Sequence, residues 1–431
     1  MRTRLLALAA ALAAAACGGA DAKKGGTLPP KADAPSAAGQ HDWPQWQGVD
    51  RANASTETGL LKDWPKDGPQ LAWKVSGMGA GFSTPSVTAG RIFLMGDRGD
   101  DQCVIALRES DGGLLWTKRI AQSGSAGGQE GPRCTPTVVG DVLYAMGIRG
   151  ELACLKVDSG DLVWEASLTK DYKGAGGGWG YCESPLVDGD KVIVTPGGHE
   201  ATLVALNRHT GKLIWKSQVP QGDSAEYSSA IVAEVNGKRQ YIQFMRGGVV
   251  GVAADDGVFL WRYDKPHNST ANCSTPLFHD DCVFAASGYG TGGGLAKISG
   301  EGTSFTAKQV YFTKSMQNHH GGMVRVGEYI YGSNEGMLTC LDWKSGDVKW
   351  DDRKPGKGSI AYADGRLYYR NEGSGDVFLV EATPEKYIEH GRLKQPERSG
   401  KEAWPHPVIA NGKLYLRDQA ALFCYDIAEK K

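Results

Sequence analysis

Six short stretches of this 431-residue chain concentrate side chains that can bind or react. GPRCTP carries Arg133, GGGWGYCESP carries Trp179, Tyr181 and Glu183, and AEYSSA carries Glu226 and Tyr227. HNSTANCSTP adds His267, Asn268 and Asn272, QNHHGGM adds Asn318, His319 and His320, and AWPHPV adds Trp404 and His406. Imidazole and carboxylate together suit zinc or a similar ion, so Glu183 with His319, His320 and His406 is one reading. The aromatic and amide groups can instead grip a flat quinone, a sugar or a peptide. A third reading is that these polar groups satisfy only one another and water around a solvated channel. Adjacent His319 and His320 in an extended strand would point to opposite faces, which weighs against the metal. Glycine runs such as Gly176, Gly177 and Gly178 let backbone approach a ligand closely.

Signatures of catalysis are missing. There is no G-x-S-x-G elbow, and the nine histidines show no H-E-x-x-H spacing. GYGTGGG, from Gly288 to Gly294, lacks the lysine and following helix of a phosphate loop and reads as a long hairpin loop. No residue is assigned a catalytic role, no metal ligand is fixed, and binding rather than catalysis is the expectation.

The elements that must position these residues are repeats. Segments from Val104, Leu152, Leu203, Val249 and Leu338 each read as a short apolar strand, a polar turn ending in glycine, and a second strand closing on tryptophan. The turn glycine supplies positive φ without steric cost. Upstream lie paired strands, as in STPSVTAGRIFLMG from Ser83, CTPTVVGDVLYAMG from Cys134, ESPLVDGDKVIVTPGG from Glu183 and STPLFHDDCVFAASG from Ser274. Four strands per unit, repeated, predict an all-β, eight-bladed propeller. Units start near Ser83, Cys134, Glu183, Ser228, Ser274, Gly321 and Ser359, and an eighth at His406. The last runs out of chain before its tryptophan strand, and LAWKV around Trp73 is expected to complete it, removing sheet edges that invite aggregation. The fifth unit offers Tyr311 and Phe312 near the tryptophan position, and the seventh offers no tryptophan.

The recurrent Trp73, Trp116, Trp164, Trp215, Trp261 and Trp350 read as structural, each ring packing on the next blade. Cys154, Cys340 and Cys424 occupy the repeat position held elsewhere by Ala106 and Ala205, so they read as small buried thiols. Cys134 and Cys182 sit at comparable strand starts in adjacent blades, which leaves a disulfide between them open. A net charge of -1 argues against nucleic acid, and 60 glycines spread along the chain indicate many turns.

The first residues read as an address. Arg2 and Arg4 precede an apolar run from Leu5 to Ala16, too short to span a bilayer, and Ala14, Ala15 and Ala16 lead into Cys17. This resembles a bacterial lipoprotein signal over 1–16, although Ala14 stands where leucine is usual. Cys17 would then be lipidated, 17–41 would be a flexible tether, and 42–431 the propeller. Gly18 in place of an acidic residue favours the outer membrane, facing the periplasm.

The pattern A-L-x-x-x-T-G-x-x-x-W, from Ala205 to Trp215, resembles the tryptophan-docking repeat of the PQQ-like propeller family. That family joins quinoprotein alcohol dehydrogenases to the lipoprotein propeller of the outer-membrane assembly machinery, so it speaks for fold more than for activity. The dehydrogenase branch implies pyrroloquinoline quinone and calcium, with a disulfide between adjacent cysteines. This chain has no neighbouring cysteines, no C-x-x-C-H haem site and no recognisable calcium ligands beyond a possible set around Glu183 and Asn272. The expectation is therefore a monomeric envelope scaffold without a cofactor. Its channel mouth would hold an envelope protein, a peptide or a small organic ligand. The alternative is a quinone-dependent oxidoreductase acting on alcohols or sugars.

Overall fold

A computed structural model describes residues 41–430. The signal, Cys17 and the tether as far as residue 40 lie outside the described residues.

Eight four-stranded antiparallel sheets form the blades. The first runs through Ser86–Thr88, Arg91–Arg98, Asp101–Arg108 and Leu114–Gln122, from the innermost strand outward. The eighth takes Val408–Ala410, Lys413–Asp418 and Ala421–Asp426 from the C-terminus, and Gln70–Val75 adds its outer strand. Trp73 pairs with Cys424 and Val75 with Leu422, so the expected closure of the ring is present. One five-residue helix, Leu168–Tyr172, is the only helix among the described residues.

The same lock recurs between blades. In five outer strands the tryptophan faces a small residue of its neighbour: Trp116 pairs with Ala106, Trp164 with Cys154, Trp215 with Ala205, Trp261 with Gly251 and Trp350 with Cys340. Only a small side chain leaves room there, which explains the alternation of alanine, cysteine and glycine. Except at Trp261, whose N–H donates to Gln240 Oε1 of its own blade at 2.7 Å, the indole N–H then reaches a backbone carbonyl of the next blade. Trp116 donates to Val157 at 2.9 Å, Trp164 to Arg208 at 2.8 Å, Trp350 to Thr383 at 2.8 Å and Trp73 to Glu109 at 3.1 Å. The ring covers the next blade's turn glycine. A Cβ on Gly160 would lie 2.7 Å from Trp116, and one on Gly257 2.4 Å from Trp215. The turn glycines therefore answer two demands at once, a φ near +70° and a flat surface for indole.

The degenerate units are explained by substitutes. In the fifth blade Tyr311 covers Gly346, and its hydroxyl donates to the Trp343 carbonyl at 3.0 Å. In the seventh, Gly391 stands where tryptophan would pair, opposite Leu379. Trp64, from the segment before the first propeller strand, fills the place. Its amide donates to the His390 carbonyl at 2.8 Å, and its ring lies edge-on to Tyr368 with centroids 5.8 Å apart. Tyr144, Tyr331 and Tyr415 hold the matching second-strand position in other blades and meet a tryptophan in the same way.

The eight described cysteines are free thiols, so the disulfide left open between Cys134 and Cys182 is absent. Their positions are not equivalent. Cys134 matches Glu183 in the repeat, and its Sγ accepts the Met146 amide at 3.4 Å. Cys182 lies one residue earlier, and neighbours in an extended chain face opposite ways.

Residues 42–54 enter the central channel and touch all eight blades, a feature the repeat pattern does not announce. Trp43 exchanges backbone hydrogen bonds with Val87 of the first blade, and Val138 of the second donates to Pro44. The Arg51 guanidinium, fully buried, donates to the carbonyls of Ser184, Pro185 and Ala230 in the third and fourth blades. Trp46 bonds Thr275 in the fifth, Asn53 bonds Met323 and Tyr362 in the sixth and seventh, and Asn53 meets His406 in the eighth. Gln47, Arg51 and Asn53 hold positive φ, a strained course offset by these contacts. Asp42 accepts from Thr88 and Ala89 and from Asn411, so the chain enters at the end that carries the innermost hairpin turns.

Trp64 gives a direct check. Trp64→Ala should lower stability by about 3 kcal/mol in chemical denaturation, as buried tryptophan truncations do. A loss comparable with that of Trp164→Ala is expected, and a change below about 0.5 kcal/mol, the range of an ordinary surface site, would remove Trp64 from the lock.

Candidate functional site

The end of the channel opposite the entry of residue 42 holds a cavity of about 370 Å³. Its wall has a simple origin. The residue six positions before the end of each innermost strand is Phe82, Arg133, Cys182, Cys273, His320, Lys357 and Trp404 in seven blades, and Tyr227 in the fourth, whose strand is two residues longer. All but Lys357 line the cavity. Blade symmetry thus turns one repeat position into a ring. Trp46 closes the floor, fixed by its indole N–H on Thr275 Oγ1 at 2.9 Å and by the His406 ring at 4.6 Å.

Loops complete the rim. Residues 123–135 bring Arg133, whose Nη1 donates to the Gly131 carbonyl at 2.6 Å and Nη2 to those of Ala126 and Gln129 at 3.0 and 2.9 Å. Its guanidinium lies 5.9 Å from the Phe82 ring centre. Trp179 stands edge-on to Tyr227, centroids 5.6 Å apart, and a Cβ on Gly127 would come within 2.2 Å of its indole. Gly127 is therefore the residue that lets the ribbon loop close against this wall. Tyr289 sits in the GYGTGGG turn, which is a hairpin as its sequence suggests, and its hydroxyl meets His319 Nε2 at 2.9 Å.

The electrostatics of the wall are one-sided. Burial pushes the Cys182 thiol up to about 11 and Cys273 well above its usual range, so both are protonated at neutral pH. Burial depresses His319 to about 3 and lowers His320 as well. Lys357 Nζ donates to His319 Nδ1 at 2.9 Å, which leaves Nε2 as the protonated nitrogen facing Tyr289. Lys357 is matched by Glu372 at 3.1 Å, outside the cavity wall. Among the described residues no aspartate or glutamate lines the cavity. Arg133 is its one ionised side chain. A site so composed can bind by stacking, by neutral hydrogen-bond donors and by one cation, and it offers no ionised nucleophile.

Six of the residues singled out from sequence meet here: Arg133, Trp179, Tyr227, His319, His320 and Trp404. Five do not. Tyr181 is buried beside the wall with its hydroxyl on the Pro196 carbonyl at 2.8 Å. Glu183 is enclosed between blades and accepts from Thr195 and from Gln243 Nε2, the latter at 3.0 Å. Glu226 accepts from Arg246 at 3.1 Å and from the Asn272 amide at 3.1 Å. Asn272 accepts from the Asn268 amide of its own loop and donates to the Met245 carbonyl of the fourth blade at 3.2 Å. His406 lies beneath Trp46, with Nε2 3.0 Å from the His320 carbonyl.

These placements correct the metal reading. Glu183 and His406 do not face the cavity, and among the described residues no group of three or more His, Cys, Asp or Glu could hold a metal ion. The calcium set around Glu183 and Asn272 does not fit either, because both residues already serve protein donors. The expectation that His319 and His320 diverge is also corrected. They lie in a loop bent by Gly322 at φ +69°, not in a strand, and their rings sit 4.3 Å apart on the same cavity.

Sequence reasoning missed Phe82, Cys182, Cys273, Trp46 and Tyr289. The first three carry a usable signal, since they occupy the same repeat position as Arg133 and Trp404. Choosing residues by chemical type rather than by register passed over them. Trp46 lies outside the repeats and had none.

Three comparisons bear on this architecture. A family model described as outer membrane protein assembly factor BamB matches residues 48–175 and 100–352. The outer membrane protein assembly factor BamB of Yersinia pestis is 24% identical over 231 residues, 51% of this chain and 52% of that protein. Matched stretches span 30% to 52% of the length of such curated relatives. Among solved structures, BamB from Moraxella catarrhalis superposes with a TM-score of 0.58 at 14% identity, covering 84% of this chain and 98% of that one. Quinohemoprotein alcohol dehydrogenase from Comamonas testosteroni reaches 0.65 at 11% identity, covering 92% and 82%. At such identities the two structures speak for the fold alone.

Glu183 carries a pH signature. Burial pushes its carboxyl up to about 7, against the hydrogen bonds from Thr195. A folded-state acid held above its unfolded value keeps a proton that the unfolded chain has released, so its contribution to stability falls as pH rises. The fall should run from about 4.5, the unfolded value, to about 7. The stability difference between the wild-type protein and Glu183→Gln, measured by urea denaturation, should change across that window and be flat above it. A difference that does not vary with pH would mean Glu183 is ionised throughout.

Proposed function

We propose, for a chain that belongs to the PQQ-like propeller family described as outer membrane protein assembly factor BamB, that it is an envelope scaffold which holds its partner at the cavity-bearing mouth. The observation that carries this reading is the coincidence of family and site. A propeller of that family presents a recess, walled by aromatic rings and lacking an ionised nucleophile, to which seven of the eight blades contribute. Concave, mostly apolar recesses with a few oriented polar groups are what recognition uses.

The proposed partner is a protein of the outer-membrane assembly apparatus. The proposed anchor is a lipid on Cys17, and its geometry suits the mouth. Asp42 lies at the hairpin-turn end of the channel, so the proposed tether joins the propeller on the side opposite the cavity. Quinone-dependent oxidation receives no comparable support, since Glu183 and Asn272 are committed to protein donors.

Two experiments test this. A photo-crosslinking amino acid at Tyr289, on the rim, should yield adducts with outer-membrane assembly proteins in intact cells. The same group at exposed Leu162, on an outer blade edge, should not. Equal yields from both positions, or none from Tyr289, would overturn the reading. Separately, Cys17→Ala should move the protein from the membrane fraction to the soluble periplasmic fraction, and retention in the membrane would overturn the anchor.

A further inference from the structure

We infer that the cavity receives an aromatic group bearing a free carboxylate, with the Arg133 guanidinium as its counter-ion. The inference deepens the binding role proposed for this mouth and rests on it for the choice of site.

The first argument is charge. A guanidinium has five N–H donors, and Arg133 gives three of them to the carbonyls of Gly131, Ala126 and Gln129. Those bonds fix its plane and leave Nε–H and one Nη1–H unused. Among the described residues no carboxylate lies within ion-pair distance of Arg133, although Lys357 next to the cavity is paired with Glu372. A half-buried cation without a partner, in a wall that holds no acid, is complementary to an anion that arrives from outside. The two unused N–H groups lie on different edges of the guanidinium, so an arriving carboxylate would take a single charge-assisted hydrogen bond there.

The second argument is shape. Phe82 and Trp404, with ring centres 4.5 Å apart, form one side of the recess, and Trp179 with Tyr227 forms another. These faces suit a flat ring. The third argument is depth. Trp46 is pinned across the channel, so nothing threads through, and whatever enters must end inside. About 370 Å³ accommodates one ring system with a short arm and excludes a passing strand. An aromatic carboxylate comes from either of two sources, a free aromatic acid or the C-terminal aromatic residue of a polypeptide.

Calorimetry on the purified full-length chain tests the inference with matched pairs. The first pair is 2-naphthoate against 2-naphthamide. The second is Gly-Gly-Phe with a free C-terminal carboxylate against the same tripeptide as its C-terminal amide. In at least one pair the acid should bind one-to-one and about tenfold or more tighter than the amide, the order expected of one charge-assisted contact. The pair with the larger acid preference identifies the source. Arg133→Gln should abolish the preference while leaving the melting temperature near that of the wild-type protein. Because that change can loosen the loop that Arg133 braces, the acid–amide comparison in the unaltered chain decides the matter. Equal affinity of acid and amide in both pairs, or no binding tighter than about 1 mM by any acid, overturns the inference. Cross-links from the rim would survive that failure, and an acid preference would survive a failure to cross-link, so the two ideas fall separately.

Discussion

Most blades lean on the next through a single aromatic ring. Indole from one outer strand lies over the turn glycine of the following blade and donates its N–H to a carbonyl there, as Trp116 does over Gly160 and to Val157. A sheet that is apolar on both faces cannot stand alone, and this contact buries one of its edges while supplying a directed bond. The requirement explains three features that look unrelated along the chain. The ring needs a small residue opposite, a glycine beneath, and a bulge in its own strand just before it. Ala106, Cys154, Ala205, Gly251 and Cys340 meet the first need with different chemistry but similar size.

The ring of blades is closed three times by the N-terminal portion of the chain. Gln70–Val75 completes the eighth sheet, Trp64 restores the lock that the seventh blade lacks, and residues 42–54 cross the channel. Arg51 is central to the last of these. Burial lowers its guanidinium to about 10, still charged at neutral pH, with its donors spread over carbonyls of two blades and Gln45. A charge held by backbone dipoles costs less than one buried alone. The segment also decides the character of the opposite mouth, because Trp46 converts a channel into a recess.

That recess is electrostatically simple for a reason rooted in packing. Enclosure by eight inner strands suppresses ionisation of every titratable group on the wall except arginine, whose charge survives burial. The acids nearby, Glu183, Glu226 and Glu372, are drawn into structural pairings behind the ring. The site is therefore built for recognition by shape, aromatic faces and one positive charge.

The sequence by itself determined the eight blades, their boundaries, the closing strand at Trp73 and the structural role of the tryptophans. All of these follow from local, repeating patterns of strand, turn and ring that physics reads the same way in every unit. It also determined that strand-entry loops converge, which brought Arg133, Trp179, Tyr227, His319, His320 and Trp404 together. Only the tertiary structure decided which neighbours face inward, because a shift of one residue moves a side chain from the cavity to the blade interior. Cys182 lines the wall while Glu183 does not, and Tyr181 is turned away. Trp46, Arg51 and Trp64 were illegible for a different reason. They belong to no repeat, and their partners lie far away in sequence, at Thr275, Ala230 and His390. Such contacts exist only once the ring has closed around them.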